Sequence, residues 1–195
     1  MTLHRKLQRL WDSAHCMRQL NLLSGHSLQT HLADLRLSEP LLDPILCVGV
    51  GNGGWVRELE RTHDVSSLDV AARAAQRVTG PFYNEYNLLP SDRFGTILCL
   101  WVFPHTPWEQ LAVQLPQLIR SLQPTGGVLA MHYHEPLSGE VRDGEGHALE
   151  GRITVSREKM TDLIVAYGGR PVLVRQEDSA EHDIRAVTLH VGRTR

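Results

Sequence analysis

Little in this chain marks it for a membrane, a nucleic acid or an oxidising compartment. No stretch approaches the roughly 18 consecutive apolar residues of a membrane span. Twenty basic against 22 acidic side chains leave a formal charge of −2. There is no basic stripe to neutralise phosphates, so neither a membrane nor a nucleic-acid partner is expected. Cysteine is scarce: Cys16, Cys47 and Cys99 form an odd, widely spaced set without a CxxC pair. That argues against a disulfide framework and for a reducing, cytoplasmic setting. Cys47 and Cys99 sit in apolar, strand-like runs, where a free thiol behaves as a small hydrophobe. The first turns carry Arg5, Lys6, Arg9, Asp12 and Arg18 in place of a signal-peptide core. Their basic bias also fits a transit peptide, but the segment is read as mature structure.

What is present is a chain of 195 residues, 42% hydrophobic and 22% charged. It is long enough for one domain that buries about 70% of its unfolded surface. Leu3, Leu7, Leu10, Ala14 and Met17 repeat at helical spacing, and a second helical pattern runs from Ser27 to Leu37. These are expected to form an N-terminal helical cap over residues 1–43. From 44 to 195, short apolar runs alternate with helical patterns. The expected strands are 45–50, 65–69, 81–86, 96–103, 127–133, 171–177 and 185–191. The expected helices lie near 54–61, 71–78, 107–122 and 156–167. Pro116 falls inside the third and is expected to kink or split it. Ser156 is its successor's N-cap and Gly168 its stop. The alternation predicts an α/β fold: a Rossmann-like, mostly parallel sheet of seven strands with helices on both faces. The last two strands follow each other directly, which predicts an antiparallel edge strand. Residues 134–152 carry Pro136 and four glycines with almost no periodicity. A connection of that length is either a binding loop or a disordered one.

The densest chemical signal is Ile45-Leu46-Cys47-Val48-Gly49-Val50-Gly51-Asn52-Gly53-Gly54. An apolar strand runs into glycines spaced by two, then into a helix-compatible segment. Glycine supplies the positive φ of a tight turn and lets a nucleoside approach the backbone. The run matches both G-x-G-x-x-G and G-x-G-x-G. Sixteen residues after Gly53, a second strand ends at Asp69, where a carboxylate can accept hydrogen bonds from both ribose hydroxyls or cap the helix that follows.

In ordered features the chain resembles the class I S-adenosylmethionine-dependent methyltransferases from about residue 45 to 193. ILCVGVGNG is similar to that family's glycine motif, SLDVA to its ribose-binding acid, and NLLPSDRFGTILCLWVF to the region of its fourth strand. LIRSLQPTGGVLAMHYH and SREKMTDLIVAYGGRPVLV resemble its fifth strand and closing hairpin. The resemblance implies a seven-stranded fold, S-adenosyl-L-methionine as cofactor, and methyl transfer to a small-molecule acceptor by in-line displacement. It implies that Gly49, Val50, Gly51 and Gly53 line the cofactor, that Asp69 holds the ribose, and that Val70 packs on the adenine. Asn87 with its neighbour Leu88 is the implied adenine contact, with Glu85 as fallback, and Leu100 and Trp101 lie beside the methionine moiety. The family often has an acid where Cys47 stands, and Phe-Asp where Phe94-Gly95 stand.

Methyl transfer needs a base only where the acceptor must lose a proton. Histidine suits that task near neutral pH. His105, after the fourth strand, and His132 and His134, flanking Tyr133 on the fifth, are the candidate catalytic residues. Strand alternation sends the latter two to one face. H-x-H lacks a third ligand at recognisable spacing, so no metal is expected. Among the tryptophans, Trp11 is a candidate to cover the substrate, while Trp55, Trp101 and Trp108 fit a core role. The competing readings are a nicotinamide-dependent oxidoreductase and a non-catalytic nucleoside-binding protein of the same fold.

Overall fold

The computed structural model describes residues 27–37, 40–137, 153–179 and 184–194. The first expected helix and most of the 134–152 loop lie outside them. The elements are α1 (Leu28–Asp34), β1 (Ile45–Val48), α2 (Gly54–Leu59), β2 (Val65–Leu68), β3 (Phe82–Tyr83), β4 (Thr96–Cys99), α3 (Trp108–Ser121), β5 (Val128–Pro136), α4 (Arg157–Ala166), β6 (Gly169–Ser179) and β7 (Ile184–Arg193). Three short 3-10 turns, Ala72–Arg77, Tyr86–Leu88 and Phe103–His105, join strands to their successors.

One seven-stranded sheet runs in the order β3-β2-β1-β4-β5-β7-β6. The first five strands are mutually parallel. β7 is antiparallel to both β5 and β6. The expected hairpin therefore forms that margin of the sheet, with β6 outermost and the reversed strand one place in.

Alternation along the parallel strands explains why both faces are covered. Leu46, Val48, Ile97, Cys99, Leu129 and Met131 pack with Leu111, Leu115 and Ile119 of α3 and Met160 and Ile164 of α4. Ile45, Cys47, Leu98 and Ala130 face the other way, onto Leu28, Leu32 and Leu35 and onto Trp55, Val56 and Leu59 of α2. Each large side chain sealed this way contributes about 1.5–3 kcal/mol relative to exposure. Cys47 and Cys99 are completely buried free thiols, and burial raises both pKa values. They are core hydrophobes, as their sequence context implied.

Several boundaries differ from the sequence reading. β4 stops at Cys99 rather than 103, because Trp101 takes a left-handed backbone (φ 54) and the chain coils into the Phe103–His105 turn. β3 is only two residues long, and the expected helix at 71–78 is a 3-10 turn. Pro116 does not split α3, which is continuous over 14 residues. β5 runs three residues further, to Pro136. Caps follow the sequence closely: Ser27 accepts from the Thr30 amide at 3.3 Å, Ser156 accepts from the Lys159 amide at 3.3 Å, and Gly168 (φ 76) ends α4.

The far end of β5 is held by a polar cluster that the sequence did not announce. Glu135 is buried, and Arg157 of α4 donates to its two oxygens at 2.8 and 2.9 Å. The Tyr133 hydroxyl also donates to it, and Arg185 of β7 lies at 3.9 Å. Arg157 reaches on to Gln176 of β6 at 2.9 Å. Three strands and a helix are thereby joined at one carboxylate.

Candidate functional site

The glycine bend leaves β1 at the point where the strand order reverses, between β1 and β4. In open α/β sheets, the crevice beyond the strands' carboxyl ends at this switch is where ligands bind. Gly49, Gly51 and Gly53 adopt φ of 79, 58 and 76°, so every second residue of the bend needs the left-handed region. Gly54 begins α2 in ordinary helical geometry. The G-x-G-x-G pattern therefore describes the backbone better than G-x-G-x-x-G. Close approach adds to the constraint. A Cβ on Gly49 would stand 2.5 Å from Cγ2 of Val102, and one on Gly53 would stand 2.7 Å from the Arg77 carbonyl oxygen.

Asp69 closes the bend. Its Oδ2 accepts from the Val50 amide at 2.9 Å and its Oδ1 accepts from the Ala71 amide at 2.9 Å. Capping and loop-holding thus coexist in one carboxylate. Burial raises its pKa, opposed by the amide hydrogen bonds and by the nearby Arg77. An ionised carboxylate offers about four lone-pair sites. The Gly51 amide bonds it as well, so a ribose diol would take the remaining site and compete with that amide for a second. The residue as a whole is half-buried.

Arg77 has no precedent in the sequence reading. Its guanidinium donates to the Gly51 carbonyl, while Arg57 donates to the Arg77 carbonyl at 2.8 Å. The 3-10 turn after β2 thus braces the bend from behind. Nothing in the spacing from Asp69 to Arg77 signals this.

The remaining expected cofactor positions differ in exposure. The Val50 side chain is fully buried, so only its backbone faces the bend. Val70 is half-buried and packs against the core. Asn87 and Leu88 are exposed on the turn after β3, whereas Tyr86 between them and the strand is buried. Leu100 is buried, and Trp101 projects from the site with 44% of its surface exposed. A core role for Trp101 is therefore corrected: it is held outward by its own backbone.

The two departures from the family pattern have packing reasons. An acid at position 47 would be sealed among the apolar side chains of α1 and α2. At Gly95 a Cβ would meet the Leu42 carbonyl oxygen at 2.7 Å, leaving no space for any side chain.

The histidines divide by role. His132 and His134 do share a face, and both rings touch Trp101: His132 stacks at 4.5 Å and 25°, His134 is tilted at 6.3 Å. His132 Nε2 lies 3.4 Å from the Asp34 carbonyl at the end of α1, and His190 Nε2 lies 2.7 Å from the Leu35 carbonyl. Both imidazoles thus satisfy carbonyls that a helix end leaves without partners. His134 is buried, and its carbonyl accepts from the Val155 amide at 2.8 Å. His105 ends the turn after β4 and is half-buried. Trp108 lies away from this cluster with the Lys159 ammonium 4.1 Å over its ring, and Trp55 is core. Trp11 lies outside the described residues.

Burial lowers the His132 pKa, partly offset by its Asp34 hydrogen bond. A histidine depressed in the folded state takes up its proton more readily when unfolded. Its contribution is therefore present above the ordinary pKa near 6.5 and fades as the pH falls below it. Acidification from pH 7 to 5.5 is therefore expected to lower stability through this residue. A His132→Gln variant compared with wild type across pH 5–8 in urea reads that slope; parallel profiles would refute it.

Among the described residues, no three or more His, Cys, Asp or Glu side chains are placed to hold a metal, and no helix is long and apolar enough to cross a membrane. A shallow cleft lined by Thr125, Gly126, Arg170 and Arg193 opens at the opposite edge of the sheet, away from the bend.

This strand order, with a reversed seventh strand beside the fifth and a glycine bend and acid on the first two, defines the fold of the class I S-adenosylmethionine-dependent methyltransferases. Solved structures agree. The chain is similar to magnesium protoporphyrin IX methyltransferase (ChlM) from Synechocystis PCC 6803, crystallised with SAM, at 11% identity, covering 97% of each chain with a TM-score of 0.60. It is also similar to 1,6-didemethyltoxoflavin-N1-methyltransferase from Burkholderia thailandensis, at 18% identity, 98% of this chain and 84% of that one, TM-score 0.57. A third is the [4+2]-cyclase SpnF, at 13% identity, 86% and 79% coverage, TM-score 0.59. No protein-family model and no curated protein sequence matches the chain.

Proposed function

We propose that this protein is a methyltransferase that uses S-adenosyl-L-methionine to methylate a small-molecule acceptor. The observation that carries this reading is the conjunction at the switch point: three left-handed glycines closing onto Asp69, whose carboxylate is held at the bend by backbone amides. The bound cofactor would supply an activated methyl group. Asp69 would hold the ribose, Gly49, Gly51 and Gly53 would admit the nucleoside against the backbone, and Val70 would give the adenine an apolar face. Asn87 and Leu88 would contact the adenine, and Leu100 would lie beside the methionine moiety. Where the acceptor carries a proton, half-buried His105 is the candidate to take it. The protein's main task is then alignment and exclusion of water.

The fold alone does not fix the reaction, since one similar structure is a cyclase. The nicotinamide reading is less well supported by the sheet. Dinucleotide folds run 3-2-1-4-5-6, whereas here a reversed β7 lies between β5 and β6. Comparison of S-adenosylhomocysteine with NADH tests the choice. At a concentration of about 100 Kd, S-adenosylhomocysteine is expected to raise the melting temperature by ~5 °C or more, and NADH to leave it unchanged. Equal stabilisation by NADH would overturn the proposal.

A further inference from the structure

Trp101 is an expensive residue to place where it stands. It is a bulky side chain on a left-handed backbone, a combination found chiefly where a structure enforces it for use. Its neighbours show the enforcement. Leu100 before it is buried, and Val102 after it fills the space a Cβ on Gly49 would need. Between these two anchors the indole is turned outward at the mouth of the β1–β4 crevice, 44% exposed. Among the described residues its ring contacts are His132 and His134.

His132 supplies the backing. Its ring is 4% exposed and nearly parallel to the indole, 25° off at 4.5 Å. Its Nε2 is tied to the Asp34 carbonyl, so the imidazole is fixed at its far edge. One face of the indole is thus occupied by a stationary flat ring. The open indole face with a flat ring fixed behind it suits a planar ligand, which gains from offset stacking.

We propose that the exposed surface of Trp101 is the stacking platform for the methyl acceptor, which is a planar aromatic or heteroaromatic compound, and that His132 is a positioning residue that sets the platform's orientation. The proposal deepens the methyltransferase reading and rests on it.

The test uses the full chain, with and without saturating S-adenosylhomocysteine, and two probes of equal skeleton: 2-naphthol and decahydro-2-naphthol. Binding is followed by calorimetry and by the Trp101 indole N–H resonance in a nitrogen-15 spectrum, assigned by its loss in Trp101→Phe. Naphthol is expected to shift that resonance and to bind about tenfold or more tightly than its saturated counterpart. Trp101→Phe is expected to keep naphthol affinity within a few fold and Trp101→Leu to lose about tenfold, with circular dichroism checking that both remain folded. His132→Gln, which retains a donor for Asp34, is expected to move the Trp101 resonance in the free protein and weaken naphthol several-fold. Equal affinity for the two probes, no naphthol binding by wild type, or an unaffected Trp101→Leu would overturn the proposal. A missing S-adenosylhomocysteine shift in wild type would instead count against the methyltransferase reading, and the naphthol comparison without cofactor would still decide the platform.

Discussion

Replacing Asp69 by alanine is expected to weaken S-adenosylhomocysteine by at least about a hundredfold, because two hydrogen bonds to a charged acceptor are worth roughly 3 kcal/mol or more together. The carboxylate does two things at once. It accepts from Val50 and Ala71, fixing the bend, and it keeps lone pairs for the ligand. Both functions fail in the alanine variant, so the free protein should also melt earlier. Asp69→Asn separates them in part. The amide matches Asp69 in size, but its nitrogen would face one of the two backbone donors and could not accept from it. An intermediate loss of about tenfold is expected there. Isothermal titration measures affinity apart from the lower starting stability. Wild-type affinity in the alanine variant would mean that the ligand, if bound, does not use this acid.

The second large effect concerns stability alone. Arg157→Met is expected to cost about 3 kcal/mol, since it removes the closest cation from a buried carboxylate. Glu135 would retain the Tyr133 hydroxyl and only the distant Arg185. Urea midpoints give the loss directly. Converting the cluster to apolar residues of similar volume, as Tyr133→Phe, Glu135→Leu and Arg157→Met together, should recover most of it, because no charge or hydroxyl is then left buried without a partner. If the triple variant is no more stable than the single one, Glu135 was not bearing an unpaired charge. The cluster joins β5, β6, β7 and α4 at the end of the sheet nearest His134, so its loss should also loosen that flank of the site.

The class of fold was legible because its signals are periodic or local. Alternating strands and helices, serine caps, and the glycine stop of α4 all depend on residues adjacent in sequence. The bend was legible for the same reason: glycines at 49, 51 and 53 demand positive φ, and the structure has it at each. What escaped depends on contacts between distant segments. β4 ends early because Trp101 reverses the backbone, and no period in 96–103 foretells that. Arg77 reaches Gly51 across 26 residues. His132 meets a carbonyl 98 residues away. His132 and His134 were placed together on one face by strand alternation alone, yet what they face is an indole supplied by the bend after β4. Pro116 does not split α3, because burial of the leucines around it keeps the helix in one piece.

One measurement bears most directly on the central claim, that the bend after β1 and the acid after β2 cradle an adenosyl group. A crystal structure of the protein grown with millimolar S-adenosylhomocysteine should show the ribose hydroxyls within hydrogen-bonding distance of both Asp69 oxygens, with the nucleoside against Gly49 and Gly51. Density for the nucleoside elsewhere, or a bend that stays closed on itself at saturating ligand, would contradict it.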